Sequence, residues 1–467
     1  MPNGLGRAVV AAAGILSMGT MVQDGKVKTR FSEVFGYGMG DFASNLIWTT
    51  TLTYIVFYYT DIYGIPARYV ATILLVCRVL SAVIDPAVGM LVDRRHGSEQ
   101  ARPFLIWGAL PLAVTTMLAF VPLGHSLAVK IGWAVFTFLA LTVAYSFVNT
   151  AYGMLVNLMS NDKSDRLKLT SSRMIGANIG AAFIGWITLR GVAFFGGADQ
   201  GRGFTIFMGV VGLVAAACFV VTWAICREKL RVASAQSVHA SAPWRTLLAN
   251  RPWMMLTLIK FCNSSANTLS LGSLTFASIY LLKLGAAFSG TLIAVLTGAS
   301  FVGCWLATPL TRRLGKRGSV RLTNSGQALC FLALAVLPSS ANTTLVLIAI
   351  IGLMIGLRDP LTYAMLSDTL DPGVSRAGVS AMGLGYSIAS AAYKVAAGVG
   401  GALSAGLLAY GGYVAGAPQQ SPSALHAILL GFSILPAAIL GLSGLVTFVY
   451  PSDAQMEALK RSYRAVA

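Results

Sequence analysis

The chain is short of charge. Of its 467 residues only 11% are Asp, Glu, Lys or Arg, less than half the share of roughly 25% in a soluble domain. A soluble chain of this length folds as two or three domains, each needing a charged coat. This scarcity excludes such a cytosolic enzyme. It also excludes a disordered chain, which combines low hydrophobicity with high charge. Histidine is scarce too, and His96, His125, His239 and His426 show no metal-ligand spacing. The six cysteines, Cys77, Cys218, Cys226, Cys262, Cys304 and Cys330, stand singly in apolar stretches with no CysXXCys pair. Neither zinc nor a disulfide framework follows from that pattern. The thiols read as small apolar core residues, and no metal site or resident cofactor is expected.

Apolar length is what the sequence has. Hydrophobic residues make up 56%, and the mean hydropathy is +0.72. A spanning helix takes about 20 predominantly apolar residues. Twelve such stretches run approximately over 33–60, 67–92, 103–123, 130–158, 171–195, 204–226, 252–282, 287–311, 319–339, 343–367, 377–410 and 424–450. Connectors are short except the polar segment 227–251. The pattern predicts an all-α membrane protein with twelve transmembrane helices in two six-helix bundles. These are residues 31–226 and 252–450, joined by a central cytoplasmic loop, 227–251, with an N-terminal segment 1–30 and a cytoplasmic tail 451–467.

Acidic residues are the rarer sign, 16 against 34 Lys and Arg, for a net charge of +18. A basic excess can mark nucleic-acid binding, but position argues against it here. With both termini on one side, 25 of the 34 cationic residues fall in segments on that side, and only Arg68, Lys130, Arg190, Arg202 and Lys283 face the other. The positive-inside rule then places both ends in the cytoplasm. Nucleic acid is not an expected partner; membrane lipid is. Residues 8–22 form an apolar run too short to span. It reads as a cytoplasmic or interfacial helix, or as an upstream extension with Met18 or Met21 as the natural start.

The halves echo each other weakly: LeuValAspArgArgHisGly (91–97) and LeuThrArgArgLeuGlyLys (310–316) each follow the second helix of a half, as in a two-fold repeat transporter. Glycine clusters at 176–185 and 398–406, where small residues allow close helix packing, static or sliding.

Seven charged residues lie within expected helices: Arg78, Lys260, Arg358, Lys394, Asp41, Asp85 and Asp359. Each costs roughly 2.5–3.5 kcal/mol at mid-bilayer on insertion scales, so they face a polar cavity or pair with one another. Helical spacing puts Arg78, Ser81 and Asp85 on one face, with Pro86 beside them. It does the same for Asp41, Asn45 and Trp48; for Tyr145, Ser146, Asn149 and Tyr152; and for Ser387, Ser390 and Lys394. Arg358 and Asp359 are adjacent, so their side chains leave the helix about 100° apart and are not expected to pair face to face. These stripes describe a hydrophilic cavity between two bundles. Amides bind hydroxyls, Trp and Tyr stack on sugar faces, and cations meet carboxylate, sulfonate or a ring oxygen; amino acids and nucleosides would use the same groups. Asp85 beside Arg78 suits a proton carrier, since burial and a neighbouring cation pull its affinity for protons in opposite directions. Ser81 and Ser146 alone offer few oxygens for sodium, so the expected coupling ion is H+, with Na+ as the alternative.

Several runs are similar to one family. GlyTyrGlyMetGlyAspPheAlaSerAsn (36–45), TyrTyrThrAsp (58–61), IleAspProAlaValGlyMetLeuValAspArg (84–94), ArgProPhe (102–104), TyrSerPheValAsnThrAlaTyrGly (145–153), SerAspThrLeuAspProGly (367–373) and GlyTyrSer (385–387) with Lys394 resemble the melibiose permease-like transporters. These are the glycoside–pentoside–hexuronide:cation symporters of the major facilitator superfamily. The resemblance covers about residues 30–450. It implies alternating access between two six-helix bundles, in a bacterial inner (plasma) membrane, by a functional monomer. It carries sugar-binding positions to Asn45, Asn149, Arg173 and Lys394, a sugar-stacking position to the neighbourhood of Asp359, and the helix-two cation carboxylates to Ser81 and Asp85. Trp48, Tyr152, Arg358 and Ser390 join the substrate set from the polar stripes; Arg78 and Ser146 join the cation set. Asp61, Asp93, Arg94, Arg95 and Asp368 sit at helix ends like the family's gating ion pairs.

The sequence departs from that pattern. One cation carboxylate has become Ser81, and two sugar carboxylates have become Asn45 and Asn149. A site with fewer negative charges suits an anionic sugar, a uronide or sulfosugar, better than a neutral glycoside. The expected function is import of a glycoside, uronide or related sugar by cation symport, with no enzymatic activity. An efflux antiporter for a drug or metabolite is the alternative, weakened by the absence of proline from 171–195.

Overall fold

The computed structural model describes residues 29–93, 99, 101–160, 163–229, 247–337, 340–370 and 380–464. Within these, the side chains of 82, 83, 85–87, 89–93, 157, 163, 164, 167, 367, 380–384, 386, 387 and 459–464 lie outside the description. The apolar run 8–22 and most of the central loop also lie outside it.

Helices and turns account for every described element. Helix α1 (Phe31–Phe57) continues through a π-turn, Tyr58–Ile62. It is followed by α2 (Ala67–Asp93), α3 (Arg102–Leu118), α4 (Leu127–Met159), α5 (Lys163–Gly196) and α6 (Gln200–Ile225). The second half begins with α7 (Arg251–Phe276), which also continues through a π-turn, Ala277–Leu281. Then come α8 (Ala286–Val336), α9 (Ala341–Leu370) and α10 (Ser380–Tyr410). Helix α11 (Pro422–Leu429) runs through the π-turn Leu430–Ile434 into α12 (Leu435–Val449), and α13 (Asp453–Arg464) closes the chain. Side-chain caps start several of these: Ser126, Asp199, Asn250 and Ser421 each accept a bond from the backbone N–H three residues on. The expected eighth and ninth helices form one run, α8, broken only at Gly315. There φ is 70°, a left-handed conformation that glycine adopts without a Cβ penalty.

The matching π-turns strengthen the two-fold echo. Tyr63 N–H donates to the Tyr58 carbonyl at 2.8 Å, and Leu282 N–H to the Ala277 carbonyl at 2.9 Å. One step on, Ile65 bonds Tyr59 and Leu284 bonds Ser278 in the same way.

Loop contacts sort the helix ends onto two faces. The terminal face carries Thr29, residues 99 and 101, the 226–229 segment and α13; Thr29 N–H donates to Asp165 at 2.6 Å, and Lys229 N–H to the Leu158 carbonyl at 2.8 Å. The opposite face carries residues 62–66, 119–126, 197–199, 282–285 and 411–421. There Lys130 donates to the Tyr63 carbonyl at 2.9 Å and Thr205 to the Phe120 carbonyl at 2.7 Å. Across the middle, α2 packs on α10, α5 on α8 and α1 on α7.

Seven stretches are long and apolar enough to cross a membrane by length and composition: Leu127–Val156, Lys168–Gly196, Gln200–Ile225, Ala286–Val336, Ala341–Leu370, Ile388–Tyr410 and Pro422–Val449. That is fewer than the twelve expected. Ala286–Val336 carries two expected spans, and α3 is short. Helices α1 and α7 miss because they are polar, and the polarity faces inward. In α1, Asp41, Ser44, Thr50, Thr51 and Thr53 are buried; in α7, so are Lys260, Asn263, Ser264, Ser265, Thr268, Ser270 and Ser273. Three of the α7 hydroxyls donate to neighbouring carbonyls, Ser264 to Tyr393, Ser265 to Ala396 and Ser270 to Phe432. Such bonds and small residues hold helices together where no hydrophobic force acts between them.

The glycine clusters serve close packing in this conformation. A Cβ on Gly176 would stand 2.1 Å from the Gly38 carbonyl oxygen, and one on Gly400 would stand 2.5 Å from that of Ser265. Cys77, Cys218, Cys226 and Cys262 are buried and all six thiols are free.

Candidate functional site

The charges within the helices gather in two clusters. In the first half, α1 presents Asp41, Asn45 and Trp48. Asp41 is buried and meets Arg173 of α5, with the guanidinium Nε 3.3 Å from the carboxylate. Arg173 also lies over the Tyr152 ring of α4, 5.1 Å from its centroid. That ring stacks on Tyr37 at 4.6 Å, and the Tyr152 hydroxyl donates to the Tyr37 carbonyl at 2.5 Å. Gly40 makes room for it, since a Cβ there would stand 2.4 Å from the ring.

One turn further on, Trp48 stacks on Tyr145 of α4 with centroids 5.3 Å apart and planes 23° apart. Arg78 of α2, buried to 4% exposure, lies 4.4 Å from the Trp48 ring and 5.4 Å from Phe138. A cation over an aromatic face is held by the ring quadrupole, most strongly when desolvated.

The second cluster is built on amides. Arg358 of α9 is 1% exposed. Its guanidinium donates to Gln327 at 2.7 Å, to Asn324 at 3.5 Å and to Asp359 at 3.1 Å. Asn324 donates to Ser443 at 3.0 Å, Ser443 donates to Asn263 at 3.0 Å, and Gln327 donates to Asn267 at 2.9 Å. The network joins α7, the second arm of α8, α9 and α12, and Asn263, Asn267, Arg358 and Asp359 line a cavity of about 230 Å³. Lys260 and Tyr363 line the same cavity, with the ammonium 3.6 Å from the ring centroid; Leu52 of α1 and Tyr393 of α10 reach in from the sides.

Arg358 and Asp359 therefore do pair, against the expectation from their adjacent positions. The 100° separation fixes only the Cα–Cβ directions. The long arginine side chain bends back, anchored by two amides, and reaches the neighbouring carboxylate. Arg358 is thus a compensated structural charge, while Asp359, 53% exposed at its side chain, faces the cavity.

The other expected site residues divide. Asp41, Trp48, Tyr152 and Arg173 come together with Arg78. Asn45 donates back to the Asp41 carbonyl at 2.9 Å, and Asn149 is half-buried on α4. Ser81 donates to the Arg78 carbonyl at 2.9 Å, and Ser146 is buried. Ser390 is exposed and Lys394 half-buried on α10. The Asp85 side chain lies outside the described residues, as do Asp93's side chain and the whole of Arg94 and Arg95.

At Asp61 the sequence suggests a gating ion pair. Its oxygens instead accept from hydroxyls, Tyr413 at 2.5 Å and Thr60 at 2.6 Å, and the Tyr280 hydroxyl lies 3.2 Å from that of Tyr413. Tyr413 belongs to the second half, so the bond ties the halves together on the opposite face. Phe276 packs edge-on to both Phe57 and Tyr413 beneath it. A phenol next to a carboxylate gives a strong charge-assisted bond without a second charge. Asp368 does form an ion pair, with Lys316 at 2.5 Å, but inside its own half.

Sequence reasoning missed Asn263, Asn267, Asn324, Gln327 and Ser443. A signal was available for the first two: Lys260, Asn263 and Asn267 fall at i, i+3 and i+7 on α7 and share a face. Asn324 and Gln327, at i and i+3, share a face by the same rule, but nothing in that spacing names their partners on other helices.

Comparison with known proteins bears on this arrangement. The sequence matches the family described as "MFS/sugar transport protein" over residues 36–454. It is 32% identical over 426 residues to the inner membrane symporter YicJ of Escherichia coli (strain K12), covering 90% of this chain and 91% of that protein. It is 30% identical over 435 residues to the isoprimeverose transporter of Lactiplantibacillus pentosus, covering 91% and 89%. Among solved structures, the nucleoside transporter NupG superposes with a TM-score of 0.61 at 13% identity, over 90% of this chain and 98% of that one, which speaks to the fold alone. The chain is an all-helical transporter of the major facilitator type, and it belongs to the MFS/sugar transport protein family.

Proposed function

We propose that the protein imports a glycoside, uronide or related sugar across the bacterial inner membrane by cation symport, with alternating access between bundles 31–226 and 252–450. All twelve expected helices cross the membrane in this reading, the polar helices α1 and α7 lining the pathway, and both termini are cytoplasmic. The protein works as a monomer.

One observation carries the reading. A cavity walled by amides, hydroxyls and the rings of Tyr363 and Tyr393 lies in the second half, the Trp48–Tyr145 stack stands in the first, and the bond that ties the halves, Asp61 to Tyr413, lies on the face away from the termini. Amides satisfy sugar hydroxyls and ring faces pack on a pyranose. A cavity sealed on one face is what one state of an alternating pathway requires. The relatives' names, a symporter and an isoprimeverose transporter, favour the same class.

Protons are the coupling ion in this reading. Ser81 spends its hydrogen on its own helix and Asp85 is the single acidic residue on that face of α2. The test follows external pH in a weakly buffered, anaerobic suspension of expressing cells, with and without sodium, on adding glycosides, uronides and sulfosugars. Alkalinisation with one of them is the expected result. Sodium-dependent uptake of labelled sugar without any pH change would overturn proton coupling. Silence toward every sugar would overturn sugar import.

A further inference from the structure

The cavity of the second half has unbalanced charge. Among the described residues, the charged side chains lining it are Lys260, Arg358 and Asp359. Asp359 meets Arg358 through Oδ1 alone, and Nη1 of Arg358 donates to Gln327 and Asn324. Lys260 is left: no described carboxylate oxygen lies within 4.0 Å of its ammonium, and its resolved partner is the face of Tyr363, 3.6 Å from the centroid. A ring face attracts a cation, but it supplies no hydrogen-bond acceptor of the quality of a carboxylate oxygen. Lys260 is buried to 8% exposure and points into space a ligand can fill. A desolvated cation beside a cavity, in a wall carrying net charge +1, is an unfinished ion pair. The ammonium is also placed by its surroundings: Asn263 and Asn267 stand on the same face of α7, and both are locked in the amide network.

We infer that Lys260 is the anion-recognising residue of the substrate site, a subsite in the second half that takes a monoanionic oxyanion group of the sugar, carboxylate or sulfonate. The inference rests on the sugar-transport reading and deepens it. Trp48 and Tyr145 in the first half then offer stacking surface to the sugar ring, while the anionic end reaches across to α7. Lys260 contacts substrate in the loaded state, and Arg358 holds the wall behind it. Arg358 is the less suited of the two, because it already pairs with Asp359 and donates to Asn324 and Gln327.

The test uses the full-length protein purified in detergent and three probes with the same ring: a methyl glucoside, a methyl glucuronide and a methyl 6-deoxy-6-sulfoglucoside. Binding is measured by equilibrium dialysis for the unaltered protein, Lys260→Gln and Lys260→Arg. Removing one partner of a desolvated charge pair typically weakens binding by about thirtyfold or more. The unaltered protein is expected to prefer one or both anionic probes. Lys260→Gln should lose that preference by this factor while changing glucoside binding by less than about threefold. Lys260→Arg should retain it, since the charge is kept. Carboxylate and sulfonate probes separate the two oxyanion sources. A Lys260→Gln protein that keeps the anion preference, or an unaltered protein that prefers the glucoside, overturns the inference and leaves sugar transport standing. Failure of all three probes to bind the unaltered protein, together with silence in the pH assay, defeats both.

Discussion

The two clusters hold their cations in different ways. In the first half, Arg78 lies against Trp48 and Phe138, and Arg173 against Tyr152 and the Asp41 carboxylate. In the second half, Arg358 is met by two amides and a carboxylate, and the amides are themselves hydrogen-bonded onward. A ring face attracts a cation over a broad range of directions. Hydrogen bonds to amides and carboxylates dictate direction. The first half can therefore rearrange its charges at low cost as a pathway opens and closes, while the second keeps a fixed wall. Lys260 departs from its own half's pattern, being held by a ring, and that is why it stands out as a group awaiting a ligand.

The sharpest way to break this contrast is to cut the amide network at its centre. Arg358→Ala would leave Asp359 without its cation and Gln327 without its donor. The Asp359 side chain is 53% exposed, so the cost falls mainly on the buried amides left without a partner, about 1–3 kcal/mol for each stranded group. The apparent unfolding temperature of the purified protein should fall by more than for any change in the aromatic cluster, with transport lost. Arg358→Ala combined with Asp359→Ala should recover part of the loss, because the stranded charge goes too. Equal losses in single and double variants would show that the network does not act as a unit.

Trp48→Leu tests the other half. It removes a stacked pair worth roughly 0.5–1.5 kcal/mol and a cation–π contact worth up to about 2 kcal/mol. The expected thermal shift is smaller than for Arg358→Ala, and sugar affinity should fall. Trp48→Phe keeps a ring over which Arg78 can lie and should recover about half of each effect. A Trp48→Leu protein as unstable as Arg358→Ala would mean that the aromatic half is as rigid as the amide half.

This contrast also explains how much could be read in advance. Helix positions were legible because a continuous apolar run leaves few alternatives, and the expected stretches match the observed helices to within several residues. The first-half cluster was legible too: Asp41, Asn45 and Trp48 share one face, and a charge in an apolar helix stands out. The amide network was not. Asn324, Gln327 and Ser443 are uncharged, and although Asn324 and Gln327 share a face, only the packing of α7, α8, α9 and α12 shows what they meet. The Tyr413–Asp61 bond was hidden for a related reason. A carboxylate at a helix end suggests an ion pair, and a tyrosine 352 residues away gives no sign that it is the partner. The π-turns at Tyr58–Ile62 and Ala277–Leu281 share almost no sequence, so the strongest structural echo between the halves is one that residue matching does not find.

The smallest effect belongs to the ion pair between Asp41 and Arg173. It resembles the Arg358 pair on paper, yet it differs in setting. The Arg173 side chain is 31% exposed and that of Asp41 9%, at 3.3 Å, whereas Arg358 is 2% exposed, Asp359 53%, and two amides hold Arg358 besides the carboxylate. Access to water weakens the attraction and lowers the cost of losing it. Interhelical polar contacts in membranes also contribute little by double-mutant cycle, about 0.6 kcal/mol on average. A cycle of Asp41→Asn, Arg173→Gln and the double variant, read by thermal unfolding in detergent, should give a coupling of about 1 kcal/mol or less. Transport should suffer more than stability, since both groups flank the Trp48–Tyr145 stack where the sugar ring is expected to bind. A coupling of about 3 kcal/mol would place this pair beside Arg358 as fixed scaffolding, and the picture of an adaptable first half facing a rigid second half would have to be given up.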